Sequence, residues 1–71
     1  MITEANAIDY TVNQFPGCKV DISGTRCYDV DGTDVVEVSA FVTGAFDGKD
    51  GYEYPIAMDV WIEGGKPYGE W

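Results

Sequence analysis

Hydrophobic side chains recur at every second position along most of the chain, and they fall on even-numbered residues. The members of this even set are Ile8, Tyr10, Val12, Cys18, Val20, Ile22, Tyr28, Val30, Val36, Val38, Ala40, Val42, Phe46, Tyr52, Tyr54, Ile56, Met58, Val60 and Ile62. A period of two is typical of antiparallel strands that bury one face. Enrichment in Val, Ile, Tyr, Phe and Thr agrees with this interpretation. The pattern therefore predicts strands rather than helices.

Turn signals divide these apolar runs from one another. They are Phe15-Pro16-Gly17, Asp31-Gly32-Thr33 and Asp47-Gly48-Lys49-Asp50-Gly51, and such Gly-, Pro- and Asp-rich stretches are typical of loops between strands. We therefore predict an antiparallel meander with strands near 7–14, 18–30, 34–46 and 52–63, and a short fifth strand in the tail 66–71.

Parity tests the register of each hairpin, because opposed residues share a face. A two-residue Asp31-Gly32 turn opposes Val30 with Thr33 and mixes the even and odd faces. A three-residue loop opposes Val30 with Asp34 and keeps the even residues together, so we predict the longer loop. The cross-strand pairs that follow are Tyr28–Val36, Ile22–Val42, Gly24–Ala40, Val36–Ile62, Val38–Val60, Val42–Ile56, Val12–Val20 and Tyr10–Ile22.

The predicted sheet has no obvious cover for its apolar face. No convincing amphipathic helix is visible, and Thr3 caps at most one turn over residues 4–7. Glycines inside strands allow bends or bulges, so the sheet can curl at Gly24 and Gly44; alternatively, two sheets pack as a homodimer. We favour the first arrangement: an all-β fold, one domain over residues 1–71, with a single antiparallel meander of four to five strands that is strongly bent or curled into a small barrel-like sheet.

The amino-acid composition limits the kinds of partner that the protein can bind. The 71 residues include 13 acids and four basic residues, which gives a net charge of −9. Such a surface repels nucleic acid and anionic membranes and favours basic partners. A strong negative charge also serves simply to keep a small protein soluble. No apolar run approaches the roughly 20 residues of a membrane span, and the start of the chain has no signal-peptide pattern. We therefore expect a cytoplasmic protein.

Catalytic and metal chemistry is poorly supported. The chain has no histidine, which removes the usual general base and the commonest transition-metal ligand. Cys18 and Cys27 lie nine residues apart on one predicted strand, about 30 Å at strand rise, whereas a disulfide needs Cα atoms within about 7 Å. We predict two free thiols in a reducing compartment, no enzymatic activity, no cofactor and no metal. The alternative for the cysteines is a tight turn at Ser23-Gly24, which would make them diagonal neighbours and allow a disulfide.

The stretch from Asp29 to Asp34 is a partial match to a calcium loop, with Asp31 and Gly32 between them. The spacing of oxygens breaks after the glycine, and the flanking helices of an EF-hand are missing. Asp-Gly is also a strong hairpin signal. We therefore predict a hairpin turn, with a calcium-stabilised extracellular β-module as an alternative.

The odd-numbered face carries features that a core does not require. Aromatic side chains surrounded by a charged rim are typical of protein-binding hot spots. The predicted partner-binding residues are Asp29, Glu37, Phe41, Asp59, Trp61 and Glu63. An alternative is that the tail folds back over Trp61 through Tyr68 or Trp71. Arg26 falls on the apolar parity, where its stem would pack and its charged head would reach water, or where it would organise a carboxylate such as Glu37.

In size, charge and predicted fold, the chain resembles the small acidic inhibitors that phages make against host defence, including anti-CRISPR proteins and other DNA mimics. The resemblance rests on no motif, so it assigns no residues. It implies a non-catalytic protein that docks on a basic, nucleic-acid-binding surface of another protein and inhibits it. The alternative is a structural or assembly module, either a virion component or a homodimer that buries its apolar sheet face.

Overall fold

The computed structural model describes residues 1–44 and 52–71, and it shows one helix followed by an antiparallel sheet. The elements are α1 (Glu4–Asn13), β1 (Lys19–Val30), β2 (Thr33–Thr43), β3 (Glu53–Glu63) and β4 (Lys66–Glu70). The strands lie in the order β1-β2-β3-β4. The meander is confirmed, as are its second to fourth predicted strands and the short strand in the tail. Phe46 and the predicted turn 47–51 lie outside the described residues.

The prediction of a strand over residues 7–14 is wrong, because α1 occupies this segment. Thr3 caps the helix: its side-chain oxygen accepts a hydrogen bond from the Asn6 backbone N–H at 3.1 Å, which satisfies one of the donors left free at a helix start. The helix ends at Asn13, and Pro16 and Gly17 follow, with Gly17 at a φ of 78°. No helix in residues 1–44 and 52–71 is long and apolar enough to span a bilayer.

The face of α1 that meets the sheet carries small side chains. Ala7 and Thr11 are both fully buried, one helical turn apart. The Thr11 hydroxyl donates to the Ala7 carbonyl oxygen at 2.8 Å, so the buried polar group is satisfied. Further along the sheet, Gly69 lies against the Tyr10 ring, and a Cβ added at Gly69 would overlap that ring.

The helix α1 covers the apolar sheet face for which the sequence analysis predicted no covering element. We call this the helix-covered face; its buried residues on β2 and β3 are Val36, Val38, Ala40, Val42, Ile56, Met58 and Val60. The predicted curling into a barrel is also wrong: β1 and β4 are the two edges of an open sheet. The apolar sheet face on which the homodimer alternative rested is covered by α1.

The β1–β2 hairpin has the shorter turn, so the predicted three-residue loop is wrong. Val30 pairs with Thr33, and Asp31 and Gly32 have φ values of 50° and 85°. Two consecutive residues with positive φ are the mark of a type I′ turn, whose twist matches that of a hairpin. The predicted turn at this Asp-Gly pair is thus confirmed, and only its length differs.

A β-bulge resolves the parity conflict that argued against this turn. The register shifts between Ile22 and Gly24, so Ser23 is the extra residue. Before the bulge, Val20 and Ile22 face the helix with the even residues of β2. After it, Thr25 and Cys27 turn to that side and approach Glu4 of α1. Of the bend or bulge that Gly24 was expected to allow, the strand contains a bulge, which exchanges the two faces of β1.

The β2–β3 hairpin keeps the predicted parity, but its register differs by two residues. Val36 pairs with Val60 and Val38 with Met58. The predicted partners were Ile62 and Val60. Because the shift is even, every side chain stays on the predicted face, and only its neighbours change. Pro55 lies in the part of β3 that has no β4 partner, which agrees with its missing N–H.

Candidate functional site

The sheet has a second side, opposite α1, which we call the open face. It consists of the odd-numbered residues of β2 and β3 together with the residues that the pairing register places beside them. The bulge brings Arg26 and Tyr28 of β1 to this side. β4 contributes Lys66, Tyr68 and Glu70. The open face is therefore built from all four strands.

A row of three carboxylates crosses the open face. Glu37 on β2 pairs directly with Asp59 on β3, and Asp59 pairs with Glu70 on β4. Neighbouring strands lie about 4.8 Å apart, so each carboxylate has a like charge in the next strand. Directly opposed like charges destabilise a sheet. We call these three residues the carboxylate row; the fold alone gives no reason for it.

Asp59 lies at the centre of the row in an unusual environment. Its side chain is half-buried, and its Oδ1 atom is buried with no hydrogen-bond partner among the described residues. Its influence extends to Tyr28: hydrogen bonding to Asp59, followed by burial and the Asp59 charge, raises the pKa of the Tyr28 phenol above its ordinary value of 10.0. A carboxylate with an unpaired buried oxygen retains capacity to accept a hydrogen bond.

Arg26 partly neutralises one end of the row. Its Nε atom lies 3.5 Å from Glu37 Oε1, and its guanidinium carbon lies 5.1 Å from the centre of the Tyr28 ring. The prediction that Arg26 lies on the apolar face is wrong, because the bulge before it turns its side chain to the open face. The observed contacts match the alternative in which Arg26 organises Glu37. Because both groups are partly exposed, the ion pair contributes little stability.

Aromatic side chains line the open face beside the row. Trp61 pairs with Tyr68 across β3 and β4, and a groove of about 400 Å³ runs between Trp61, Tyr28 and Asp59. Val35 lies in this groove and is only 6% exposed, although it faces away from the helix. The open face therefore has an apolar floor near its acids.

The alternative in which the tail folds back over Trp61 holds only in part. Tyr68 lies beside Trp61 on the open face, as one alternative expected. Trp71 instead packs edge-on against Phe15, with ring centroids 5.5 Å apart, and so contributes to the other side of the molecule. Tyr68 stays 46% exposed. The aromatic surface at Trp61 is thus flanked by the tail and remains accessible.

The structure brings most of the predicted partner-binding residues to one face. The end of the open face that contains the carboxylate row also holds four of them: Glu37, Asp59, Trp61 and Glu63. Phe41 lies on the same face near its other end, opposite Pro55. Asp29 does not join them. The bulge turns it to the helix-covered side, where its Oδ2 accepts a hydrogen bond from the Gly32 backbone N–H at 3.2 Å.

Sequence reasoning missed two residues of this site. Tyr28 was assigned to the apolar face by parity, and only the bulge reverses that assignment. Glu70 was left in an unaligned tail, although a two-residue turn at Gly64-Gly65 pairs Glu63 with Lys66 and so sets Glu70 opposite Asp59. The double glycine was the signal that would have placed it, since both glycines have positive φ.

The cysteines and the acidic residues were also considered as candidates for a disulfide or a metal site. Cys18 and Cys27 are free thiols, as predicted, and Cys27 lies 3.9 Å from a Glu4 carboxylate oxygen. In the described ranges, no three His, Cys, Asp or Glu side chains group in a way that would hold a metal ion.

Comparison of the chain with protein-family models, with curated proteins and with solved structures finds no match. The site must therefore be interpreted from its own geometry.

Proposed function

We propose that this chain is a non-catalytic acidic binding protein whose open face docks on a basic, nucleic-acid-binding surface of another protein and inhibits it. The observation that carries the proposal is the carboxylate row. Three adjacent strands present Glu37, Asp59 and Glu70 side by side, in a chain whose net charge is −9. Lysine and arginine side chains of a partner would relieve the repulsion within the row.

The electrostatics support a protein partner rather than a nucleic acid. Binding to phosphates requires lysines and arginines, and the chain has four such residues against 13 acids. The groups that bind phosphates in a nucleic-acid groove also bind carboxylates, because both present charged oxygen acceptors. A surface that displays carboxylates in a row therefore competes with nucleic acid for the same basic side chains.

This function is that of the phage-type inhibitors which the chain resembles in size and charge, namely anti-CRISPR proteins and other DNA mimics. Inhibition then proceeds by occupation: while the open face covers the basic groove, nucleic acid cannot enter. Long-range attraction between opposite charges speeds the encounter, and the aromatic groove supplies contact area once the partners have met. The proposal requires no chemistry from either cysteine.

The test is affinity capture from bacterial lysate with three forms of the protein. The first is the wild type, and the second is the charge reversal Glu37→Lys with Asp59→Lys. The third is a matched control, Asp9→Lys with Asp34→Lys, which changes the net charge by the same amount away from the open face. Captured proteins are identified by mass spectrometry, eluted with rising salt and challenged with DNA or RNA.

We expect the wild type and the control to retain a nucleic-acid-binding protein that DNA or RNA displaces, and the open-face reversal to lose it. Exposed charges are screened within about 10 Å at 0.1 M salt, so moderate salt should elute the partner. Equal capture by the open-face reversal would contradict the proposal, provided that circular dichroism shows it folded. Equal loss in both variants would show that total charge, rather than this face, is responsible.

A further inference from the structure

We infer that the groove beside Asp59 and Trp61 is an anchor subsite that takes one arginine side chain of the basic partner. This inference rests on the proposed function and deepens it, because it names the chemical group that the open face recognises. The groove measures about 400 Å³, near the lower end of the roughly 300–1,000 Å³ that ligand pockets span. That volume suits one long side chain rather than a folded segment.

The walls of the groove match the two halves of an arginine side chain. Val35 and the rings of Tyr28 and Trp61 provide an apolar surface, while Asp59, Glu63 and Glu70 provide the acidic rim. The methylene stem of an arginine packs on apolar surface while its head reaches polar groups. The Asp59 carboxylate lines the groove, and its buried Oδ1 has no hydrogen-bond partner among the described residues, so the chain's own groups leave this carboxylate incompletely satisfied.

The chain itself shows how an arginine uses such a surface. Arg26 lies over the Tyr28 ring and pairs with Glu37, so its guanidinium meets an aromatic face and a carboxylate together. The groove offers the same combination again, with the Trp61 ring and the Asp59 carboxylate. Among the described residues that line it, none is a lysine or arginine. Within residues 1–44 and 52–71, the nearest basic side chains are Arg26, which pairs with Glu37, and Lys66, whose backbone partner is Glu63, and neither lines this second place for a cation.

Arginine suits the groove better than lysine for a geometric reason. Its guanidinium is planar, stacks on aromatic rings and binds carboxylates with two parallel N–H groups. Tryptophan is the strongest aromatic partner for a cation. Lysine presents a compact, strongly hydrated charge and gains less from the rings. We therefore expect the site to distinguish the two cations.

The test uses N-acetyl-arginine amide as the probe, with N-acetyl-lysine amide and the neutral N-acetyl-citrulline amide as comparisons. Binding is followed by NMR through the indole N–H signals of the two tryptophans. Trp61 reports on the groove, and Trp71, packed against Phe15, serves as the internal reference. The variants are Asp59→Asn and a matched control, Glu53→Gln, which removes an exposed acid at the far end of the same face.

We expect the arginine probe to shift the Trp61 signal in a saturable manner, with a dissociation constant on the order of millimolar for so small a ligand. Lysine should bind more weakly, and citrulline should not bind. Loss of a charged hydrogen-bond partner should make Asp59→Asn about tenfold weaker, while Glu53→Gln stays like the wild type.

Equal shifts with citrulline, or an unchanged affinity in Asp59→Asn, would overturn the arginine subsite. A hepta-arginine peptide separates this failure from that of the proposed function. If the peptide binds the open face while the single amino-acid probe leaves Trp61 unaffected, the subsite is wrong and the acidic docking face stands. If neither binds, the subsite is overturned and the docking face has lost its support.

Discussion

The two faces of the β2–β3 hairpin show how differently one pair of strands can be used. On the helix-covered face, valines and Met58 are buried beneath α1. On the open face, two residues of the same hairpin, Glu37 and Asp59, oppose one another as like charges. The helix-covered side chains are explained by packing, since burying an aliphatic side chain contributes about 1.5–3 kcal/mol. The open face has no such explanation.

The difference teaches where to look for function in a small sheet protein. Repulsion within the carboxylate row opposes folding, and the proposed basic partner would relieve it. Sites that bind partners often retain arrangements that lower stability. We therefore expect mutations on the two faces to affect different properties. Changes on the helix-covered face should unfold the protein, and changes on the open face should mainly alter binding.

The largest expected effect is that of Met58→Ala on the helix-covered face. Met58 is 1% exposed, and truncating a buried methionine leaves a cavity that costs about 2–5 kcal/mol. Phe41→Ala, on the open face at 41% exposure, should cost about 1 kcal/mol or less. Urea denaturation of both variants checks the contrast, and equal losses would show that the open face is also structural.

The next effect concerns the cap of α1. Thr3→Ala removes the acceptor for the Asn6 N–H and should lower the free energy of unfolding by about 1 kcal/mol. Thr3→Ser keeps the oxygen and should stay close to the wild type. Thermal denaturation followed by circular dichroism measures both. No loss in Thr3→Ala would mean that the helix does not start at this residue.

A smaller effect of opposite sign is expected at the centre of the carboxylate row. Asp59→Asn removes repulsion from both neighbours, so it should raise the free energy of unfolding by about 0.2–1 kcal/mol while weakening partner binding. Asp9→Asn, on the exposed side of α1, changes the net charge equally and should have less effect on either property. A destabilised Asp59→Asn would mean that this carboxylate supports the fold.

The smallest effect is the pH dependence at Tyr28. Its raised pKa favours the neutral phenol in the folded state, so this contribution is complete below the unfolded pKa of about 10. It is lost as pH rises through the folded pKa. Ultraviolet titration should show a late-ionising component in the wild type that is missing from Tyr28→Phe. In Asp59→Asn, the late titration should move to lower pH.

The sheet was largely predictable from sequence, and the helix was not. The apolar residues Val36, Val38, Ala40 and Val42 fall on every second position, and this period of two indicates a strand. Residues 4–13 carry two patterns at once. Ile8, Tyr10 and Val12 alternate like a strand, while small Ala7 and polar Thr11 form the helical contact. Val12 is 40% exposed, so the more hydrophobic pattern was the misleading one.

The candidate site was predictable only where no bulge intervened. The even register error between β2 and β3 left Glu37, Asp59 and Trp61 on their predicted face. In β1, one extra residue at Ser23 moved Asp29 off that face and brought Arg26 and Tyr28 onto it. Gly24 signalled a bulge or bend, but parity along a single strand does not show at which residue the faces exchange.

The most direct test of the open face as a docking surface is an amide NMR titration with an arginine-rich peptide. The predicted result is a set of shifts that cluster at Glu37, Asp59, Trp61 and Glu70 and diminish with added salt, with α1 unaffected. Shifts spread over α1 and the β1–β2 turn in proportion to local charge would contradict the account, because the acidity would then be a property of the whole surface.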